Sequence, residues 1–332
     1  MIVASSRRLR TLSLALGLCL LLSATWSVVR NHALAGSAWA ALRNPDPASA
    51  TLLPLAVIAT IALTSLSLRI LTARAAPFTA PAFTEMTALT LASSLGNMVP
   101  VQAGLAGRLA YQQRVHGIPI AIGVLIAVQS TLLTLVAGAW LGAALLVVRA
   151  AGLSWIAAPA SIALIACGLA DPRWRCSVLL HALLMRCIEV LLSALRVHAC
   201  FTLIGNPIEP PACLALGIAG NLSNAIPMLG GALGVREWIV GLLAPVIGGV
   251  ATTEALAAEL LNRLLESLVI VVGGLLSTPM LARKLDEALR IRVIDPPTRS
   301  AHPTETVDVE ATPIAQRESD ASPPKMLPPP AS

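Results

Sequence analysis

Charged side chains set inside long apolar runs are the residues of this sequence with the most chemistry available to them. Arg186 and Glu189 lie three residues apart in the apolar stretch 177–204, and Arg196 follows Glu189 by seven. Spacings of three and seven bring all of them to nearly one face of a helix. Arg263 and Glu266 repeat the three-residue spacing, with Glu259 one turn before Arg263. Arg108 and the adjacent Arg236 and Glu237 follow apolar segments broken by Gly and Pro. An ionised side chain at the centre of a bilayer costs at least ~2.5–3.5 kcal/mol, so each of these charges has a job to do. Two readings stand side by side. In one, they are interhelical ion pairs that fix a bundle. In the other, they form a polar lane for a phosphate-bearing headgroup, with Arg108, Arg236 and Arg263 on the phosphate. Glu189 and Glu237 then hold the arginines in place or carry a coupling proton. Neighbouring residues on a helix point about 100° apart, so Arg236 and Glu237 are expected to serve different partners.

Other chemistries find little support. His181 and His198 share the charged stretch, but no His, Cys, Asp or Glu cluster has metal-ligand spacing, so no metal is expected. The six Cys lie mostly in apolar runs without a C-x-x-C and read as small apolar groups. No phosphate-binding G-x-x-x-x-G-K-[ST] loop is present, so neither ATP hydrolysis nor any cofactor is expected. Ser93, Ser94 and Ser223 have no His placed to activate them and read as helix-packing residues, so no catalytic residue is assigned.

The elements that must position the charges follow from composition. The chain has 332 residues, 56% of them hydrophobic and 12% charged, with a mean hydropathy of +0.79. A soluble domain carries about a quarter charged residues, so this is an all-α polytopic membrane protein. Residues 1–282 carry a net charge of +7 and residues 283–332 a net of −1. The positive surplus thus belongs to the membrane part, where Arg marks loops and anionic-lipid contacts rather than a nucleic-acid partner.

Arg7, Arg8 and Arg10 precede an apolar run, Thr11 to Val29, and keep the N-terminus cytoplasmic. It reads as an uncleaved anchor; a signal peptide cut near Ala33-Leu34-Ala35 is the competing reading. Spans are expected at about 51–68, 118–148, 152–170 and 177–204, with further apolar segments at 210–235, 238–253 and 254–281. The shorter stretch 84–98 ends in Gly96-Asn97-Met98-Val99-Pro100. It is read as re-entrant, which keeps Arg108 and Arg114 on the cytoplasmic side. About eight spans result, with one or two re-entrant, Gly/Pro-broken segments and both termini inside. If 212–228 or 236–250 is re-entrant too, the C-terminus moves outside. Residues 1–282 form the membrane domain, and 283–332 a cytoplasmic tail that is disordered and Pro-rich by composition.

An internal repeat joins the two broken segments. Shifting the chain by 127 residues sets Asn97 on Asn224, Pro100 on Pro227, Gly104 on Gly231 and Gly107 on Gly234, with Arg108 one residue short of Arg236. Paired Gly/Pro-interrupted apolar segments are the sequence sign of a transporter binding site, because freed backbone groups face the ligand there. Tight turns between closely packed helices would use the same residues.

Leu95-Gly96-Asn97-Met98-Val99-Pro100, with Gly104, Gly107 and Arg108, resembles the first signature of the lysylphosphatidylglycerol synthase transmembrane-region family, a group of flippase-like proteins. Ile226-Pro227-Met228-Leu229-Gly230-Gly231-Ala232-Leu233-Gly234-Val235-Arg236-Glu237 is similar to its second signature, and Asn262-Arg263 matches a recurring Arg in the next helix. The resemblance covers roughly residues 9–282. It implies a bacterial inner-membrane protein that flips a polar or anionic lipid, or a lipid-linked glycan, without its own ATPase. The implied partners are membrane lipids, anionic or linked to polyprenyl or hopanoid groups, and a lipid-modifying enzyme. The implied substrate contacts are Asn97, Pro100, Gly104, Arg108, Asn224, Pro227, Gly230, Gly231, Gly234, Arg236, Glu237 and Arg263. In the full synthase a soluble aminoacyl-transfer domain follows the membrane region; here a 50-residue tail follows it, so lysyl transfer is not expected. Two alternatives remain: a membrane-embedded transferase using a lipid-phosphate donor, and a non-transporting partner in a lipid-modification complex that docks through its Pro-rich tail.

Overall fold

A computed structural model describes residues 15, 18–31, 43, 47–98, 103–170, 177–224 and 234–294. The expected cytoplasmic loop 171–175, the broken segments 99–102 and 225–233, and residues 295–332 lie outside the described residues. By backbone contacts the chain divides into a unit of residues 1–291 and a second of residues 292–332. The helical bundle belongs to the first unit.

All regular structure among the described residues is α-helical. The helices are α1 (Leu18–Arg30), α2 (Pro47–Ala75), α3 (Phe83–Met98), α4 (Ala103–His116), α5 (Ile120–Ala150), α6 (Ala157–Ala160), α7 (Ile162–Ala170), α8 (Val178–Leu203), α9 (Pro210–Asn224), α10 (Val235–Gly248) and α11 (Thr252–Ile294). Four of them, α2, α5, α8 and α11, are long and apolar enough to cross a membrane. They coincide with the runs read at 51–68, 118–148, 177–204 and 254–281. Shorter helices form elsewhere. The stretch 152–170 becomes α6 and α7, separated at Ser161, whose hydroxyl donates to the Ala158 carbonyl (2.6 Å). A hydroxyl bonded back into its own turn bends a helix there. The 16 residues of α3 are fewer than the ~20 needed for a crossing.

The helix α8 is the central post. It packs against α2, α5, α7 and α9, while α3 and α4 form a hairpin beside α2. The close approach in that hairpin requires glycine. A Cβ on Gly104 would sit 1.7 Å from the Ser93 carbonyl oxygen, and one on Gly96 would sit 2.8 Å from the Gly104 Cα. The Asn97 side-chain oxygen accepts from the Leu105 amide (3.2 Å), capping the start of α4. The first helix joins the bundle through Trp238 of α10, whose indole N–H donates to the Leu20 carbonyl (3.0 Å).

The last helix runs 43 residues, about 64 Å at 1.5 Å per residue and twice the ~30 Å hydrocarbon thickness. It continues without a break past the domain boundary read at 282. There Lys284 Nζ lies 2.6 Å from Glu85 Oε2 in the first turn of α3. Tyr111 (2.7 Å) and His116 (2.9 Å) of α4 complete the set around this buried carboxylate. Burial pushes the Glu85 carboxyl up, but the hydrogen bonds from Lys284, Tyr111 and His116 outweigh it. The group is held below the ordinary carboxylate range.

Candidate functional site

The charged residues of α8, at positions 186, 189 and 196, occupy one buried face with Ser193 between them. The α11 set of Glu259, Asn262, Arg263 and Glu266 is spaced i, i+3, i+4 and i+7, again one face. The start of α10 supplies Arg236 and Glu237, 3% and 0% exposed. Gly234 sets the entry to that helix with φ +77°, a conformation that side chains with a Cβ rarely adopt.

These faces meet in a linked series of ion pairs. Arg186 Nη1 donates to Glu189 Oε2 (2.6 Å) and its Nη2 to Ser130 Oγ of α5 (2.6 Å). Thr64 of α2 donates to Glu189 Oε1 (2.5 Å). Arg196 donates to Asn262 Oδ1 (3.0 and 2.8 Å) and to Glu266 Oε2 (2.6 Å). Arg236 pairs with Glu259 (2.6 Å) and reaches the same Glu266 oxygen (3.2 Å). Asn262 Nδ2 donates back to Glu259 (3.2 Å). Glu237 faces Arg263 Nε at 4.0 Å, and neither of its oxygens has a hydrogen-bond partner among the described residues. Arg236 and Glu237 thus serve different partners. Arg186 and Glu189 form the i,i+3 pair expected of them. Glu266 instead reaches off its own helix to Arg196 and Arg236.

A cavity of ≈230 Å³ opens within this network, between α2, α5, α8, α9, α10 and α11. Arg186, Glu189, Arg196, Arg236 and Glu266 line it, with Thr60, Thr64, Ser130, Thr131, Thr134, Ser193 and Asn221. On the opposite side of α8 lies an apolar groove of ≈540 Å³, formed by residues such as Ile188, Leu191, Leu195, Trp155 and Leu214. One helix therefore separates a charged chamber from a greasy slot.

The remaining sequence candidates fall in three places. Asn97 and Gly104 make the α3–α4 joint, as cap and as close contact. Arg108 is half-buried on α4, its Nε buried without a hydrogen-bond partner among the described residues. Asn224 ends α9, whereas Pro100, Pro227, Gly230 and Gly231 lie outside the described residues. The repeat that links them is therefore not visible as structure. Sequence reasoning missed Thr60 and Thr64, Ser130, Thr131 and Thr134, and Asn221. Hydroxyls four residues apart in otherwise apolar runs were the available signal. Among the described residues, no group of three or more His, Cys, Asp or Glu side chains could hold a metal ion.

The fold and the chamber define an α-helical protein with four helices long and apolar enough for membrane embedding, enclosing a buried network of arginine and glutamate. Comparisons with protein-family models, curated proteins and solved structures returned no match.

Proposed function

We propose that the chain moves a polar, anionic lipid headgroup across a bacterial inner membrane, as its resemblance to the flippase-like family implies. The observation that carries this reading is the arginine-lined chamber buried among the membrane-length helices. Guanidinium groups are weakly hydrated and present planar donors that match phosphate oxygens, so they can take over a headgroup's hydration. The apolar groove across α8 supports the same reading, since an amphiphile needs a polar chamber and an apolar surface close together. No nucleotide-binding loop occurs in the sequence, so transfer follows a substrate gradient or a proton gradient.

The test uses the purified full chain in proteoliposomes containing a fluorescent anionic lipid, with outer-leaflet fluorescence read after chemical quenching. The wild type transfers the lipid between leaflets, and Arg236→Ala or Glu237→Gln stops transfer while the protein still reconstitutes. Equal transfer by both variants and the wild type would overturn the site assignment. No transfer of any lipid by the wild type would overturn the function.

A further inference from the structure

Five glutamates among the described residues face a cation, and in four of these pairs the gap is 2.6 Å. Glu85 meets Lys284, Glu189 meets Arg186, Glu259 meets Arg236 and Glu266 meets Arg196. Glu237 is the exception. It is the most deeply buried of the five, at 0% exposure, yet its Oε1 stands 4.0 Å from Arg263 Nε. Neither of its oxygens has a hydrogen-bond partner among the described residues. The other charges around it are engaged. Arg236, its neighbour on α10, is held by Glu259 and Glu266, and Glu259 adds a like charge. Arg196 of α8 is bound to Asn262 and Glu266. The helix α9 has no charged residue, and one turn along α10 the backbone of Gly241 packs on the Leu256 side chain of α11. A carboxylate taken out of water needs a close cation and hydrogen bonds for its lone pairs. Burying it without them costs far more than burying the neutral acid.

We infer that Glu237 is a proton-binding site, occupied in this structure, and that its proton is exchanged with water as a headgroup moves. The coupling rests on the translocation reading; the proton site does not. When the carboxyl O–H bond breaks and water accepts the proton, the carboxylate pulls on the cation it already faces, Arg263. A charge-assisted hydrogen bond spans about 2.7–2.9 Å, so the 4.0 Å gap closes by about 1.2 Å. Re-protonation opens it again. Arg236, the residue before Glu237, lines the chamber, so the movement reaches the cavity wall through one peptide unit. Glu189 has the other role: Arg186 and Thr64 already bind both of its oxygens, and it anchors that arginine.

Infrared spectroscopy of the purified full chain at neutral pH tests the proton site. The wild type shows the C=O stretch of a protonated carboxylic acid, which moves on exchange into heavy water. Glu237→Gln loses this band, Glu237→Asp shifts it, and Glu85→Gln, which removes an ionised carboxylate, leaves it in place. A wild-type spectrum without the band overturns the inference, as does an unchanged band in Glu237→Gln. Should that variant fail to fold, the position of the band in Glu237→Asp decides the matter: a shift supports the site and no shift overturns it. The coupling is read in phosphatidylcholine vesicles containing the chain and a trace of fluorescent phosphatidylglycerol. With one proton per lipid, a difference of one pH unit across the membrane drives the leaflet ratio of the probe to about tenfold. The ratio falls back to one when an ionophore collapses the gradient, and it stays at one in Glu237→Gln and in protein-free vesicles. Transfer with a ratio that ignores the pH difference overturns the coupling and leaves translocation standing. The infrared band without transfer of any lipid does the reverse: it upholds the proton site and removes the translocation reading.

Discussion

Glu266 is the carboxylate on which two arginines converge, so removing its charge is the sharpest perturbation of the network. Its Oε2 lies 2.6 Å from Arg196 and 3.2 Å from Arg236. In Glu266→Gln, Arg196 keeps Asn262, and Arg236 keeps Glu259. Breaking a buried pair by removing one partner costs about 3–5 kcal/mol, because the other charge is stranded. Each arginine retains a second partner, which places the cost at the lower end, about 3 kcal/mol. At ~2.1 cal/mol/K per residue a chain of 332 residues loses about 1.4 °C of unfolding midpoint per kcal/mol, so the fall is about 4 °C. The assay is thermal unfolding in detergent, followed by intrinsic tryptophan fluorescence. The double variant Arg196→Met/Glu266→Leu removes the pair rather than one partner and should lose less than the single change, since an apolar replacement strands one charge fewer. A fall of less than about 1 °C for Glu266→Gln would refute the reasoning. It would give the pair the value of a solvated surface bridge, worth well under about 1 kcal/mol, and would mean that bulk water fills the chamber.

Gly104→Ala should destabilise the α3–α4 hairpin by about 3 kcal/mol or more. Its Cβ would fall 1.7 Å from a backbone carbonyl that cannot rotate away, and overpacking of that kind costs at least the usual ~1–3 kcal/mol. The midpoint in the same thermal assay checks it, and an unchanged midpoint would mean that the helices separate without cost. Glu85 gives a pH prediction. Its folded pKa lies below the ordinary value of 4.5, so its stabilisation is complete above about that pH and drains away as pH falls through the lower folded value. A midpoint-versus-pH curve between 7 and 3 should drop at its acid end, and Glu85→Gln should flatten that limb. A parallel drop in both proteins would place the acid-sensitive group elsewhere.

The parts of this protein that the sequence makes legible are those set by local pattern. Apolar runs of sufficient length mark α2, α5, α8 and α11, and spacings of three and seven place Arg186, Glu189 and Arg196 on one face. Pairing between helices is not written locally. Nothing near Glu266 in the chain points to Arg196, 70 residues away, or to Arg236, 30 residues away. The hydroxyls of Thr64 and Ser130 carry little signal, because Ser and Thr commonly bond back within their own apolar helix, as Thr60 does with the Ala56 carbonyl. Gly104 illustrates the converse: an apparent ligand-binding glycine also has a sufficient packing reason.

The two readings of the intramembrane charges, bundle-fixing pairs and a polar lane, prove compatible once the partners are known. Every glutamate of the network faces an arginine from α8, α10 or α11, so the pairs do tie these helices together. The same network lines the chamber, where Arg186, Arg196 and Arg236 stand beside Glu189 and Glu266. The pairs that join the helices are thus also the walls of the chamber, so a bundle-fixing role for one of these charges does not remove it from a polar lane.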